Sequence, residues 1–229
     1  DNSTELKQLW NVQHETNQCS GNGIHQANCN VRDNIQVIDG YAFVIAKHEP
    51  YNKHFNYTAA TMTTHAAFTY GRFEIRARFP QGDFLRPSIF TRNDSEAYWH
   101  ELGQMDIASY QQGEFLYRGI HFAKSENKYQ AVDLPFTSAE TAKVQLGQEF
   151  HLFGLEFSEE KVRFFWDNSF SNWSDFTDSK PMTAWHHIRI QVGVGGVTFP
   201  EKMPENFNEL SWNCPAKIGR STRLNSSHR

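Results

Sequence analysis

Long apolar runs, blocks of one charge and helical periodicity are all missing from this sequence of 229 residues. No segment approaches the roughly 18 consecutive apolar residues of a membrane-spanning helix, so no membrane span is predicted. The 22 basic and 26 acidic residues are scattered, which argues against a nucleic-acid partner or a polybasic membrane surface. The 11 histidines show no zinc spacing, and the sequence predicts neither a metal nor another cofactor.

Cysteine is also scarce, with only three in the chain. Cys19 and Cys29 lie in a Gly/Asn-rich stretch and are predicted to close a short loop as a disulfide, which leaves Cys214 without a partner. Together with the glycosylation sequons, this pattern predicts a secreted, extracellular glycoprotein. The alternative is a cytosolic protein with three reduced thiols. The sequons are at Asn2, Asn56, Asn93, Asn172 and Asn225.

Alternation of apolar and polar residues is the main pattern that is present. In Tyr70–Pro80, for example, Phe73, Ile75 and Ala77 alternate with charged residues, as on a strand with one buried face. Residues 47–57 and 81–102 are predicted as loops, and 137–144 as a short helical turn. Many short strands with evenly spaced turns predict an all-β jelly-roll sandwich of two antiparallel sheets. The other predicted strands are 35–38, 41–46, 58–64, 103–110, 117–122, 149–157, 161–166 and 187–196.

One domain is predicted over residues 1–217, because no repeat or linker divides the chain. Residues 218–229 differ in composition: they are basic, rich in serine and without a strand pattern. They are predicted to be a non-native or disordered tail. If the native C-terminus is missing, the partner of Cys214 is expected to be missing with it.

The strand 103–110 carries two polar side chains, Gln104 and Asp106, which point to the same side of a sheet. Two interpretations remain open from the residues alone. These side chains form either the floor of a ligand cleft or a solvated polar face without a ligand.

Several motifs carry a family resemblance. Tyr70–Pro80 and Gly103–Ser109 resemble the central strands of glycoside hydrolase family 16, the laminarinase-like β-glucanases. Further matches follow in the family's order, and together they run from about Trp10 to Trp212. The resemblance implies a concanavalin-like jelly roll with a glycan cleft across its concave sheet. The further matches are Gly119–Phe122, Phe153–Phe157 and Gly193–Pro200.

The catalytic motif departs from the family. The resemblance implies a strand reading Glu-x-Asp-x-x-Glu, in which a bulge brings the last position to the same face as the others. These three positions fall on Gln104, Asp106 and Ser109. Retaining glycosidases use two carboxylates, and here both are replaced, with Asp106 as the remnant. In this the chain resembles the non-catalytic glucanase-like domain of invertebrate β-1,3-glucan-recognition proteins, also called Gram-negative-bacteria-binding proteins.

Four more residues are candidate ligand contacts. Tyr98 and Trp99 precede the central strand, where the family often places an aromatic that stacks on a sugar; the alternative is ordinary core aromatics. His121 matches a cleft histidine of the family, although a lone histidine on a strand is often only structural. Arg86 stands where the family usually has tryptophan. It can hydrogen-bond hydroxyls or an anionic sugar, or it can block a subsite by filling it.

The predicted function is therefore a secreted, catalytically inactive domain that binds β-1,3-glucan. The resemblance implies microbial pattern recognition upstream of an innate immune cascade, with cascade proteins as further partners. Two alternatives stay open. One is an active endo-β-1,3-glucanase with relocated carboxylates, such as Glu101 or Glu114. The other is a protein-interaction module on the same scaffold.

Overall fold

Strands dominate the structure, a computed structural model that describes residues 2–16, 19, 26–93, 103–111, 115–125, 128–133, 146–159, 161–173, 184–196, 216–218 and 223–225. Within these ranges, one helix, α1 (Asn2–Leu9), and one 3-10 turn (Arg32–Asn34) accompany them. The strands are β1 (Trp10–Val12), β2 (Asn28–Asn30), β3 (Ile35–Ile38), β4 (Tyr41–Val44), β5 (Lys47–Asn52), β6 (Phe55–Thr64), β7 (Gly71–Arg78), β8 (Leu85–Arg92), β9 (Gln104–Gln111), β10 (Phe115–Ser125), β11 (Lys128–Asp133), β12 (His151–Phe157), β13 (Val162–Trp166), β14 (Ser169–Trp173), β15 (His187–Val194), β16 (Ala216–Ile218) and β17 (Arg223–Asn225).

Nine of these strands form one sheet, in the order β1-β6-β15-β8-β9-β10-β11, with β2 and β5 also paired to β6. The pairings are antiparallel, except that β2 runs parallel to β6. β15 comes late in the chain, but in the sheet it lies between β6 and β8, which both belong to the first half of the chain. The middle of this sheet is therefore assembled from distant parts of the sequence.

Eight strands form the second sheet, in the order β14-β13-β12-β7-β16-β4-β3, with β17 also on β7. Two hairpins predicted from the sequence are confirmed here. β3 and β4 are joined by Asp39-Gly40, whose φ values of 51° and 76° are those of a left-handed two-residue turn. β12 and β13 are joined at residues 158–161.

The hydrophobic core lies between the two sheets. The alternation predicted for β7 is present, because Phe73, Ile75 and Ala77 are buried while Arg72 and Arg76 are exposed. From the nine-stranded sheet, Met62, Ile89, Met105, Ile120 and Ile190 join the same cluster. The predicted jelly-roll sandwich of antiparallel sheets is confirmed.

Two predicted loops are wrong. Residues 47–57 contain β5 and the start of β6, and residues 81–102 contain β8. Both missed strands include a proline, which normally argues against a strand because it cannot donate to the ladder. In β5, Pro50 lies where the register with β6 shifts, between His48 and Asn52. In β8, Pro87 pairs in register with Val192 of β15. The helical turn predicted at 137–144 lies outside the described residues.

The predicted disulfide is confirmed: Cys19 and Cys29 are bonded, with their Cα atoms 5.0 Å apart. The two buried cysteines form a small cluster with Phe55, and Tyr51 packs against it. Cys214 lies outside the described residues. Of the sequon asparagines, Asn56 is exposed on β6 and Asn93 is buried after β8. Among the described residues, no helix has the length and apolar character to cross a membrane.

Strand pairing extends into the segment predicted as a tail. Ile218 pairs with Ala77 of β7, and Arg223–Asn225 pair with Glu74, Phe73 and Arg72 of the same strand. The expectation that this segment has no strand is therefore not met at these positions. Its non-native origin stays a prediction.

Candidate functional site

One face of the nine-stranded sheet is polar, and it is the face turned away from the core. Side chains paired in register across neighbouring strands lie on the same side of a sheet, which defines this polar face. Serine, threonine, glutamine, histidine and arginine predominate on it. Its described members are Thr61, Thr63, Arg86, Ser88, Phe90, Arg92, Gln104, Asp106, Ser109, Tyr117, His121, His187, Arg189 and Gln191.

The three positions of the predicted motif, Gln104, Asp106 and Ser109, all lie on this polar face. Between them, Ile107 and Ala108 are both buried in the core. Two consecutive inward residues break the strict alternation of a strand, so Ser109 returns to the side of Asp106. The bulge that the resemblance implies is therefore present in β9.

Both neighbours of β9 show the bulge in their register. On β8, Ile89 and Phe90 are consecutive, yet they pair with Ala108 and Asp106. On the other side, β10 advances by two residues from Tyr117 to Gly119, while β9 moves by three, from Ser109 to Asp106. β9 thus carries one extra residue relative to both partners.

Asp106 is the centre of a hydrogen-bonded group. Gln104 Nε2 donates to Asp106 Oδ1 at 2.7 Å, and His121 Nε2 lies 2.8 Å from Oδ2. An ionised carboxylate only accepts hydrogen bonds, so His121 must carry its hydrogen on Nε2 in this arrangement. His121 pairs with Gln104 in register, which places both donors beside the carboxylate. Both Asp106 oxygens are therefore already engaged.

Arg86 lies further along the same face. It pairs in register with Gly193, and the row Ser88–Ser109 separates it from the row that contains Asp106. Burial lowers the pKa of the Arg86 guanidinium, and the negative charge of Asp106 partly offsets this. Its Nε and Nη1 atoms are buried and have no hydrogen-bond partner among the residues that the structure describes.

Positive charge predominates among the side chains that the structure describes on the polar face. Of its side chains that the structure describes, three are arginines and Asp106 is the one carboxylate. Phe90, which pairs with Asp106, supplies a buried aromatic ring on this face. Ser88 accepts a hydrogen bond from Gln191 Nε2 at 3.0 Å, which links β8 to β15.

Sequence reasoning identified Gln104, Asp106, Ser109, His121 and Arg86, and the structure places all five on the polar face. It missed the contributions of β15 and most of β8. The signal was present in residues 85–92, where Leu85, Ile89 and Thr91 alternate with outward residues, but Pro87 obscured it. Tyr98, Trp99, Glu101 and Glu114 lie outside the described residues, so their roles stay predictions. Among the described residues, no group of three or more His, Cys, Asp or Glu is arranged to hold a metal ion.

Comparison with known proteins adds relatives by sequence. No protein-family model matches the chain. The chain is 29% identical over 181 residues to a β-glucanase of Rhodothermus marinus, which covers 72% of this chain and 62% of that protein. It is 27% identical over 203 residues to a glucan endo-1,3-β-glucosidase of Cryptopygus antarcticus, covering 84% and 72%. A β-1,3-glucan-binding protein of Penaeus monodon is 25% identical over 173 residues, covering 59% and 46%. The chain thus spans less than two thirds of the length of the first and third of these relatives.

Solved structures share the fold. The laminarinase catalytic domain of Thermotoga maritima superposes with a TM-score of 0.78 at 20% identity, covering 97% of this chain and 93% of that one. LamA of Zobellia galactanivorans, in a Glu-to-Ser variant bound to laminaritriose and laminaritetraose, gives a TM-score of 0.74 at 24% identity, covering 93% and 90%. At these identities the structures establish the architecture alone.

Proposed function

We propose that this chain, a homologue of the laminarinase-like β-glucanases of glycoside hydrolase family 16, binds β-1,3-glucan on its polar face without hydrolysing it. The relatives by sequence are β-glucanases and glucan-binding proteins, so homology by itself favours a glucan ligand and leaves the chemistry open. The residues on the polar face carry the rest of the proposal.

The observation that carries it is the composition of the bulged strand β9. Retaining hydrolysis needs two carboxylates about 5–5.5 Å apart, one as nucleophile and one as acid/base. The bulge brings the corresponding positions to one face, but they hold Gln104 and Ser109. An amide offers no anionic oxygen to an oxocarbenium-like centre, and a serine hydroxyl is far too weak an acid to protonate a leaving oxygen. Asp106 remains, with both oxygens already accepting hydrogen bonds.

Glucan binding can persist in a fold of this type when one glutamate is replaced. The Zobellia variant with serine in place of one glutamate holds laminari-oligosaccharides, so a fold of this type can bind glucan after losing a carboxylate. In the present chain, Gln104, His121 and Gln191 place amide and imidazole groups on the polar face, where sugar hydroxyls would meet them. We propose Tyr98 and Trp99 as the aromatic platform that stacks against sugar rings.

Co-sedimentation with insoluble β-1,3-glucan (curdlan), combined with a reducing-end assay on laminarin, tests the proposal. We expect the chain to sediment with curdlan and soluble laminarin to compete for binding. We also expect no reducing ends to form from laminarin. The Rhodothermus β-glucanase, as the positive control, should produce them under the same conditions. Trp99→Ala should weaken sedimentation, whereas the exposed-surface variant Asp33→Asn should not.

Two outcomes would contradict it in different ways. Turnover of laminarin by the wild-type chain would indicate relocated carboxylates, and Glu101→Gln and Glu114→Gln would then identify the one responsible. A chain that is folded but does not sediment with curdlan would favour the protein-interaction module instead.

We also propose that the chain is secreted and takes part in microbial recognition upstream of an immune cascade. The disulfide supports an oxidising compartment, and Asn56 presents an exposed sequon. A relative in Drosophila melanogaster is named Gram-negative bacteria-binding protein 1. Expression in secreting cells should yield a chain in the medium with the disulfide closed and Asn56 glycosylated, as peptide mapping would show. Glucan-triggered protease activity in host body fluid that does not change when the chain is depleted would contradict the immune role.

A further inference from the structure

We propose that Arg86 forms a subsite for an oxyanion on the bound glycan, so that the preferred ligand is an acidic polysaccharide bearing carboxylate or sulfate groups. This inference rests on the proposed function, because it names the class of glycan that the same polar face selects. It concerns the end of the face near Gly193, away from Gln104 and His121.

The first argument is the state of the guanidinium. Arg86 Nε and Nη1 are buried, and neither donates a hydrogen bond to any part of the chain that the structure describes. A buried donor without an acceptor has lost its hydration and gained nothing in return, so it favours any ligand that supplies an acceptor. Arginine presents its N–H groups as a planar fork, which matches the two oxygens of a carboxylate or sulfate.

The second argument is charge. Among the described residues, Asp106 is the acidic group whose charge acts on Arg86, and its oxygens accept from Gln104 and His121 instead. Burial nevertheless lowers the pKa of Arg86, so the charge of Asp106 does not compensate for the loss of water. A ligand with a second negative charge would offset the remaining cost of removing the guanidinium from water. A neutral sugar hydroxyl would supply a hydrogen bond but no charge.

The third argument is the set of hydrogen-bond donors around Arg86. The row between Arg86 and Asp106 holds two small residues, Ser88 and Ser109, each with a hydroxyl that can donate to an oxyanion. Beside Arg86 across the strands lies Gly193, and a Cβ built there would come within 2.8 Å of Gln26 Nε2. Glycine therefore lets the Gln26 amide approach this end of the face. This end of the polar face therefore offers several hydrogen-bond donors: two serine hydroxyls, the Gln26 amide and the Arg86 guanidinium.

The test uses three ligands with the same β-1,3-linked backbone: neutral laminarin, laminarin oxidised to the carboxylate at C6, and sulfated laminarin. Calorimetry at two salt concentrations would give the affinity of each. We expect at least one acidic form to bind about tenfold more tightly than the neutral form, the effect of one charge-assisted contact. The acidic form that binds more tightly would show whether the subsite prefers a carboxylate or a sulfate.

Matched variants assign the preference to Arg86. Arg86→Gln keeps hydrogen-bonding capacity but removes the charge, so it should abolish the acidic preference and change neutral binding by less than about threefold, because only the charge-assisted contact is lost. Arg86→Lys keeps the charge without the fork and should retain part of the preference. Arg32→Gln removes an exposed arginine elsewhere and should have no effect.

Ser109→Glu tests the same point by placing the anion within the chain. A glutamate in the row beside Arg86 would supply the missing anion from within the chain, so the acidic preference should disappear while thermal stability rises. An equal affinity for neutral and acidic laminarin, or a preference that survives Arg86→Gln, would overturn the subsite and leave glucan binding intact. If no form of laminarin binds to the folded chain, the proposed function fails with it.

Discussion

At the scale of single residues, Asp106 determines how the polar face is organised. Its two oxygens hold Gln104 on its own strand and His121 on the neighbouring strand, and its charge reaches Arg86 on the opposite neighbour. One carboxylate thus interacts with side chains from three strands. Asp106 therefore contributes to the stability of the fold as well as to the arrangement of the candidate ligand site. Substitutions of Asp106 measure the first contribution.

Asp106→Ala should lower the free energy of unfolding by about 1–3 kcal/mol, since it leaves partly buried donors without an acceptor. Asp106→Asn should cost less, because its amide oxygen can still accept from Gln104 and its NH₂ can donate to the other tautomer of His121. Urea unfolding would measure both, with the exposed Asp33→Ala as the control. Equal losses in the two Asp106 variants would contradict this account of the hydrogen bonds.

At the scale of strands, Gly154 and Phe165 make a close contact on the outer face of the eight-stranded sheet. A Cβ at Gly154 of β12 would lie 2.0 Å from Phe165 Cε2 and 2.1 Å from Cζ, on the neighbouring strand β13. The Phe165 ring therefore occupies the position of the missing side chain. Arg72 covers the same ring at 4.7 Å from its centroid, so the ring is held from two sides.

Gly154→Ala should destabilise the protein by about 1–3 kcal/mol, because overpacking forces a well-packed ring to move. Phe165→Leu in the same chain should recover part of the loss. A double-mutant cycle from urea unfolding curves would give the coupling between the two positions. If the two effects simply add, the steric explanation is wrong.

Some strands could be predicted from the local sequence and others could not. β7, β12 and β13 follow from local alternation, and the β3–β4 hairpin follows from Asp39-Gly40. β5 and β8 carry prolines, and whether a sheet tolerates a missing N–H depends on the partner strands rather than on local sequence. The candidate site divides in the same way. The strand with Gln104 and Asp106 was visible in the sequence, but the proximity of Arg86 to Asp106 depends on the register between β8 and β9.

At the scale of the whole molecule, the disulfide ties the N-terminal segment to the sandwich. Cys29 lies in β2, which pairs with β6, and Cys19 is joined to it across a separation of 10 residues. The bond restricts the unfolded chain and buries both cysteines against Phe55.

Replacing both cysteines by serine should lower the free energy of unfolding by about 3 kcal/mol, as expected from the entropy of closing a loop of this length. Guanidinium unfolding of the wild-type chain, with and without a reductant, should reproduce this loss. The double serine variant should not respond to the reductant. A wild-type midpoint that is insensitive to reduction would contradict the structural role of the bond.

The position of β15 has a consequence for biosynthesis. Because β15 separates β6 from β8 in the nine-stranded sheet, a nascent chain that ends before His187 lacks the strand that joins the two halves of that sheet. The core-facing residues of β6 and β8 must stay partly uncovered while the intervening residues are synthesised. Such late, long-range pairing makes folding slow and exposes the chain to aggregation. The topology therefore predicts that this domain folds slowly, and stays prone to aggregation, until β15 has been synthesised.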